Sequence, residues 1–311
     1  MNTITTYPTN RFDPAALRAI WTQVAMGDEQ ALDELDRSRH VNFTASGKRI
    51  WETDTYVYLP VVVDSREGDL VQRQELTFAL SDDHLVTLQP AVPFEPFVKS
   101  IARMRRTPFL AETPQGVMYA LLYGVNETAE RVIDYASSVL ESMTDDITQA
   151  TNGYDGRGRD IGVSDMQATM ARMNEAEEIV SRIQESQLLL ARAARHLRSE
   201  TVAPALIGLI DTLTADINGV KEHASFEHDK VRYLQQAIMT SLDVKQNQIV
   251  KVFTIITAVF LPPTLIATFY GMNFTHMPEL TWDHGFLVTT LLTLVAAVIP
   301  LWYIKRKGWL R

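Results

Sequence analysis

"VFTIITAVFLPPTLIATFY", Val252–Tyr270, decides how the rest of the chain is read. It carries no charge, and as a helix it is long enough to cross ~30 Å of hydrocarbon. A second uncharged run, "GFLVTTLLTLVAAVIPLWYI" (Gly285–Ile304), follows after a short connection. Either alone could be a buried core helix. Two together, adjacent and uncharged, predict a pair of transmembrane helices. The flanks agree. Lys245 and Lys251 precede the first run, and Lys305, Arg306, Lys307 and Arg311 follow the second. The connection holds Glu279 and Asp283 without a Lys or Arg. The positive-inside rule then places both termini in the cytoplasm and the connection outside. Trp282, Trp302, Tyr303 and Trp309 fall near the segment ends, where interfacial anchors sit.

Upstream, Pro204 opens the longest helical pattern. Its apolar residues are Leu206, Leu209, Leu213, Ile217, Val220, Ala224, Val231, Leu234, Ile238 and Leu242, spaced by three and four. No proline interrupts it before Pro262. One helix from 204 to about 270 is roughly 100 Å long at ~1.5 Å per residue. Such a rod outruns any globular core and must stack on something, most simply its own copies. Residues 116–149 read as another long amphipathic helix. "TNGYDGRGRDIGVS" (151–164) breaks it, and Ser164 is the expected cap of the next, which runs to about Ser199.

Before residue 115 the signals change. "DPAALRAIWTQVA" (13–25) has an Asp cap, Pro in the first turn and helical spacing. "TYVYLPVVVD" (55–64) reads as a strand, and "LTFALSDDHLVTLQP" (76–90) as a hairpin around Ser81, Asp82 and Asp83. The expected fold is predominantly α. It comprises a cytoplasmic α/β domain (1–112), a long-helix stalk (113–248) and a transmembrane domain (249–311). The last is divided into helices at about 252–270 and 285–304, a loop at 271–284 and a basic tail.

With 311 residues the chain has room for more than one domain. It has no cysteine, which excludes disulfides, zinc–thiolate sites and cysteine nucleophiles. A net charge of −9 argues against a nucleic-acid partner. The opening "MNTITTYPTNRFDPAAL" lacks the apolar centre of a signal peptide, so the N-terminal part is expected to stay in the cytoplasm. There is no phosphate loop or paired-histidine helix, and His223 and His228 stand five apart, a poor spacing for one face. No catalytic constellation is legible, and the chain reads as a non-enzyme.

Thr254, Thr257, Leu261, Thr264 and Thr268 recur at three- and four-residue spacing, with Asn247 continuing the stripe. Such threonines can bond back to their own helix, glue helices together, or line a channel in a symmetric assembly. Pro262-Pro263 frees backbone groups beside them. Directly after the helix comes "YGMNFTHMPEL" (270–280).

That motif, with "VFLPPTLIATFYGMNF" before it and "KRKGWL" at the end, resembles the CorA family of divalent-cation channels. The resemblance is strong over about residues 245–310 and holds only in outline before them. It implies a funnel-shaped homopentamer in the inner (cytoplasmic) membrane that takes up Mg²⁺, with Co²⁺ and Ni²⁺ as further cargo. Gly271, Met272, Asn273 and Glu279 would form the external mouth. Asn247, Val250, Phe253, Thr257, Leu261 and Thr264 fall at pore-facing family positions. Mg²⁺ dehydrates reluctantly, so a mouth of neutral oxygens would hold the hydrated ion.

In the family, intracellular Mg²⁺ binds acids between subunits. Candidates here are Asp211, Asp216, Glu222, Glu227, Asp229 and Asp243, then Asp82, Asp83, Glu175, Glu177 and Glu178. Each also reads simply as a solvated face charge. One departure concerns the loop: Thr275-His276 stands where family members often carry an acid, and His276 could favour Zn²⁺, Co²⁺ or Ni²⁺. A zinc transporter of the ZntB type shares the architecture and is the first alternative. A membrane-tethered scaffold or sensor that conducts nothing is the second.

Overall fold

The computed structural model describes residues 12–43, 49–68, 70–90, 93–152, 163–198, 203–273, 277 and 281–308. The chain divides into two compact units, Met1–Gln149 with Gln167–Gln235, and Ala150–Met166 with Gln236–Arg311.

The first unit begins with α1 (Pro14–Ile20), where the Asp13 carboxylate accepts from Ala15 N at 2.8 Å. The spacing predicted a helix through Ala25. Instead Trp21 turns extended, and β1 (Trp21–Ala25) pairs in parallel with β5 (Leu85–Gln89). Trp21 and Val24 sit three apart, as on a helix face. In the strand they point to opposite faces of a sheet covered on both sides, so each enters a different apolar cluster. Pairing with a strand some sixty residues away overrides local propensity.

The sheet has the order β1-β5-β4-β3-β2, where β2 is Trp51–Glu52, β3 Val57–Glu67 and β4 Leu70–Leu80. The expected hairpin joins β4 to β5, closed by Ser81 N donating to His84 O at 2.9 Å. The longer β3–β4 hairpin continues through the polar stretches 65–67 and 70–75, which carried no strand signal. One sheet face buries Leu59, Val61, Leu76 and Phe78 with Phe97 of α3 (Glu95–Arg106). The other buries Tyr58, Ala79 and Val86 with Leu35 of α2 (Glu29–Arg39).

Three long helices follow: α4 (Pro114–Asn152), α5 (Val163–His196) and α6 (Pro204–Tyr270). Helix α5 starts one residue before Ser164, the expected cap. Most of the glycine-bearing break, 153–162, lies outside the described residues. Ala129, Val132 and Ala136 of α4 meet Val180 and Ile183 of α5 and Val220 and Ala224 of α6 in one cluster. Where α4 meets α3, a Cβ on Gly124 would lie 2.2 Å from Ser100 Oγ and 2.6 Å from Pro96 O, so only glycine fits.

On α6 the buried residues of the first unit are Leu206, Ile210, Leu213, Ile217, Val220, Ala224, Glu227, Val231 and Leu234. They alternate by four and three without a gap, the seam of a coiled-coil-like packing. Ile238 and Ser241, in the second unit, continue the alternation. Two sequence assignments shift. Leu209 and Leu242 are half-buried, and Ile210 and Ser241 take their seam positions. The apparent gap between Ala224 and Val231 is filled by an acid, Glu227, which is 2% exposed.

The second unit contains the rest of α6 and α7 (Gly285–Arg306). Of the most apolar 18-residue window, 0% is buried on α6 and 6% on α7. Phe253, Leu265 and Phe286 stand in the open. Leaving so much apolar surface in water would forgo ~25 cal/mol per Å², whereas hydrocarbon accommodates it. Helix α6 runs on through Pro262-Pro263. Prolines have no N–H, so the carbonyls of Ala258 and Val259 lack their usual helical donors.

Candidate functional site: a polar stripe and its outer turn

The stripe is built from residues that share one side of α6. At about 100° per residue, Asn247, Val250, Thr254, Thr257, Leu261, Thr264 and Thr268 fall within roughly a third of the helix circumference. Phe253 lies at the margin. All of these side chains are exposed in the single chain. Four hydroxyls bond back one turn. Thr254 donates to Val250 O (2.8 Å), Thr257 to Phe253 O (2.9 Å), Thr264 to Phe260 O (2.7 Å) and Thr268 to Thr264 O (2.7 Å). Thr290 and Thr293 of α7 do the same, so back-bonding is general to these apolar helices. Its chemical consequence is specific. The proton is committed inward, and the oxygen presents lone pairs outward, as an acceptor suited to a cation or its water shell.

The outer turn follows from the helix end. Gly271 N donates to Ala267 O at 3.0 Å, and Met272 N to Phe269 O at 3.3 Å, tightening the last turn. Gly271 does not have a positive φ. A Cβ there would sit 3.2 Å from Ala267 O. The glycine is therefore explained by close approach to the helix's own carbonyl, a contact in which any side chain would be tight. Met272 and Asn273 are exposed just beyond. Glu279, Thr275 and His276 lie outside the described residues, as does Trp309. At the far end of α7, Arg306 lies over the Trp302 ring (5.3 Å) and Lys307 over Tyr303 (6.0 Å). These cation–aromatic pairs suit a membrane–water boundary.

The candidate acids separate into two kinds. Asp211, Asp216, Glu222, Asp229 and Asp243 are exposed, and Asp211 lies 3.3 Å from Arg198. Glu177 accepts from Gln235 at 3.0 Å, and Glu178 pairs with Arg182. In the β4–β5 turn, Asp83 accepts from Ser81 Oγ at 2.7 Å. Among the described residues no group of three acids or histidines converges as a metal holder within one chain.

Glu227 differs, because it is not the solvated face charge that its residue type suggested. It accepts from Ser137 Oγ at 2.8 Å, with His223 Nε2 and Lys230 Nζ each 3.6 Å away. His223 Nδ1 in turn lies 4.0 Å from Asp134. A second buried acid, Asp64, escaped the sequence reading. Burial pushes its carboxyl above the usual range, and Arg73 across the strand pair pulls it down less. Its place directly after the unbroken apolar run Val61-Val62-Val63, the mark of a strand buried on both faces, was the available signal.

The family model for CorA-like Mg²⁺ transporter proteins matches residues 11–306, nearly the whole described chain. The chain belongs to that family. Curated relatives named magnesium transport protein CorA include one from Pasteurella multocida, 31% identical over 78% of this chain and 74% of its own length. One from Escherichia coli K12 is 32% identical over 63% of this chain and 60% of its own length. Among solved structures, the complete CorA magnesium transporter from Methanocaldococcus jannaschii matches at a TM-score of 0.72, 17% identity, 94% of this chain and 92% of its own. The cytoplasmic domain of ZntB from Vibrio parahaemolyticus matches at 0.54, 13% identity, 72% of this chain and 87% of its own. These structural likenesses concern the fold. The α/β domain, the long helices and the two apolar C-terminal helices are thus the CorA fold, and the relatives are ion transporters.

Proposed function

We propose that this chain forms a homopentamer in the inner membrane and conducts Mg²⁺ into the cytoplasm. Five copies of α6 line the path through Asn247, Val250, Phe253, Thr257, Leu261 and Thr264. Gly271, Met272, Asn273 and Glu279 form the outer mouth. The observation that carries this reading is the exposed, uncharged stripe on α6, which ends in the Gly271-Met272-Asn273 turn. A helix with no buried apolar face in its membrane stretch needs partners, and a stripe of acceptor oxygens facing them supplies a route for a cation.

The mechanism follows from hydration. Amide oxygens of Asn273 accept hydrogen bonds from the water shell of Mg²⁺, which therefore enters without being stripped. Hydroxyl oxygens of Thr257 and Thr264 receive it in turn. Val250, Phe253 and Leu261 form apolar collars that close by dewetting. Both termini lie in the cytoplasm, and the negative interior drives the ion inward at ~2.3 kcal/mol per charge per 100 mV. Co²⁺ and Ni²⁺ travel the same way less readily. The stalk acids, among them Asp211, Asp216, Glu222, Asp229 and Asp243, approach their copies between subunits, and Mg²⁺ bound there holds the gate shut.

The experiment is metal-by-metal uptake by the purified chain in liposomes with a negative interior, beside its native mass. A pentamer that takes up Mg²⁺, and loses uptake about tenfold or more on Asn273→Ala with its mass unchanged, supports the proposal. Uptake of Zn²⁺ alone makes the chain a zinc transporter. No uptake of any metal makes it a scaffold.

A further inference from the structure

An open surface cavity of about 610 Å³ in the first unit is lined by Arg49, Ile50, Arg192, Arg195 and His196, the four basic side chains all exposed. Arg49 and Ile50 come from the segment entering β2, and the other three from the C-terminal end of α5. Three guanidiniums and an imidazole therefore converge from two distant parts of a chain whose net charge is −9. Among the described residues no carboxylate lines the cavity. Among the described residues none of the four basic side chains pairs with an acid. Arg198, two residues further on, does find one in Asp211 at 3.3 Å. Elsewhere among the described residues of this unit some arginines do find an acid, Arg73 in Glu185 (2.6 Å) and Arg131 in Glu127 (3.5 Å), while others stand singly on the surface, so what sets this group apart is its convergence on one concavity.

Basic residues in a last helical turn complement the helix dipole, which accounts for Arg195 and His196 as ordinary neighbours of α5's carbonyls. It does not account for Arg192, a full turn earlier, or for Arg49 arriving from another element. Like charges collected around a concavity repel one another, and a bound anion removes that cost. Planar guanidiniums offer paired N–H donors that match the oxygens of a phosphate group. The cavity falls in the ~300–1,000 Å³ range of small-ligand sites and exceeds what one phosphate group fills.

We infer that this cavity is a binding site for a soluble anion carrying more than one phosphate, of the pyrophosphate or nucleoside triphosphate class. Arg192 and Arg195 grip the phosphates, Arg49 closes the opposite side, and Ile50 supplies the apolar wall. Nothing in this assignment depends on the transport reading, and it would stand for a non-conducting chain as well.

The test uses the full chain in detergent with a metal chelator present, so that divalent-cation sites elsewhere stay silent. Pyrophosphate, adenosine triphosphate and orthophosphate are titrated calorimetrically. The expected result is one site per chain for the first two and much weaker binding of orthophosphate. Arg192→Gln with Arg195→Gln should weaken binding at least about tenfold, each lost charged hydrogen bond counting for that order. Unfolding should stay unchanged, because both side chains are exposed. Arg232→Gln, on the exposed side of α6, should change nothing. Absence of binding at millimolar probe, or equal binding by the double variant, overturns the inference. So does capture by vesicles of anionic lipid without binding of the soluble probes, which would assign the cluster to a membrane surface.

Discussion

Glu227→Leu turns the one acid in the α6 seam into the residue type that the four–three alternation calls for. Several terms decide the outcome. The variant loses the Ser137 hydrogen bond (2.8 Å), worth ~1.5–3 kcal/mol to an ionised acceptor. It gains the burial of a leucine, ~1.5–3 kcal/mol. It also removes the desolvation of a carboxylate that is 2% exposed, a penalty of several kcal/mol that its partners only partly offset. Lys230, left alone, is 25% exposed and can turn to water. The sum is a change between neutral and ~2 kcal/mol more stable. Lys230→Met is the counter-experiment, since it strands the buried carboxylate. It should cost ~1–3 kcal/mol, discounted because the lysine is partly solvated. Urea unfolding of the detergent-solubilised chain, followed by circular dichroism, measures both. A Glu227→Leu variant destabilised by more than ~3 kcal/mol, beside a neutral Lys230→Met, would refute the seam reasoning. It would mean that the carboxylate holds something worth more than its lysine.

Two pH predictions follow from buried titratable groups in the α/β domain. His84 is buried and bridged from Nε2 to Thr22 Oγ1 (2.9 Å) and from Nδ1 to Ala19 O (3.1 Å), and burial lowers its pKa. A neutral ring satisfies both contacts, donating to the carbonyl and accepting from the hydroxyl. The unfolded chain then binds the extra proton first. Stability should be full above about pH 6.5 and fall as pH drops through the window below it, with His84→Gln flattening that slope in thermal melts. Asp64 has the opposite sign in proton uptake: its folded pKa is raised, so its contribution is full below the unfolded value of about 3.9 and lost as pH rises. Asp64→Asn should therefore raise the melting midpoint at neutral pH and leave it nearly unchanged at low pH.

Much of this molecule is written locally, and the parts that were missed are non-local. Uncharged runs such as Val252–Tyr270 announce themselves, because nothing but burial or lipid tolerates them. The β4–β5 hairpin is likewise carried by its own turn, Ser81–His84. Strand β1 could not be read that way. Its Trp21–Ala25 segment sits behind a well-capped helix, and only a partner at Leu85–Gln89 makes it a strand. The polar half of the β3–β4 hairpin is extended for the same reason, each residue held by its cross-strand neighbour. On α6 the phase of the buried seam was legible, while Glu227 was counted among the face acids rather than in the seam, because an acid is usually solvated. Its place three residues after Ala224 and four before Val231 was the signal. In the stripe of Thr254, Thr257, Thr264 and Thr268, the sequence offered back-bonding and channel lining as alternatives. The geometry makes them compatible, since a hydroxyl that donates inward still accepts outward.

The chain has no cysteine, so single cysteines can be introduced along α6 and challenged one at a time with a charged thiol reagent during Mg²⁺ uptake by proteoliposomes. A water-filled path along the stripe predicts that uptake is blocked at Thr257→Cys, Leu261→Cys and Thr264→Cys, and untouched at Val259→Cys and Ile266→Cys on the opposite side. Equal block at all five positions, or block only at Val259 and Ile266, would contradict a pore lined by this face of α6.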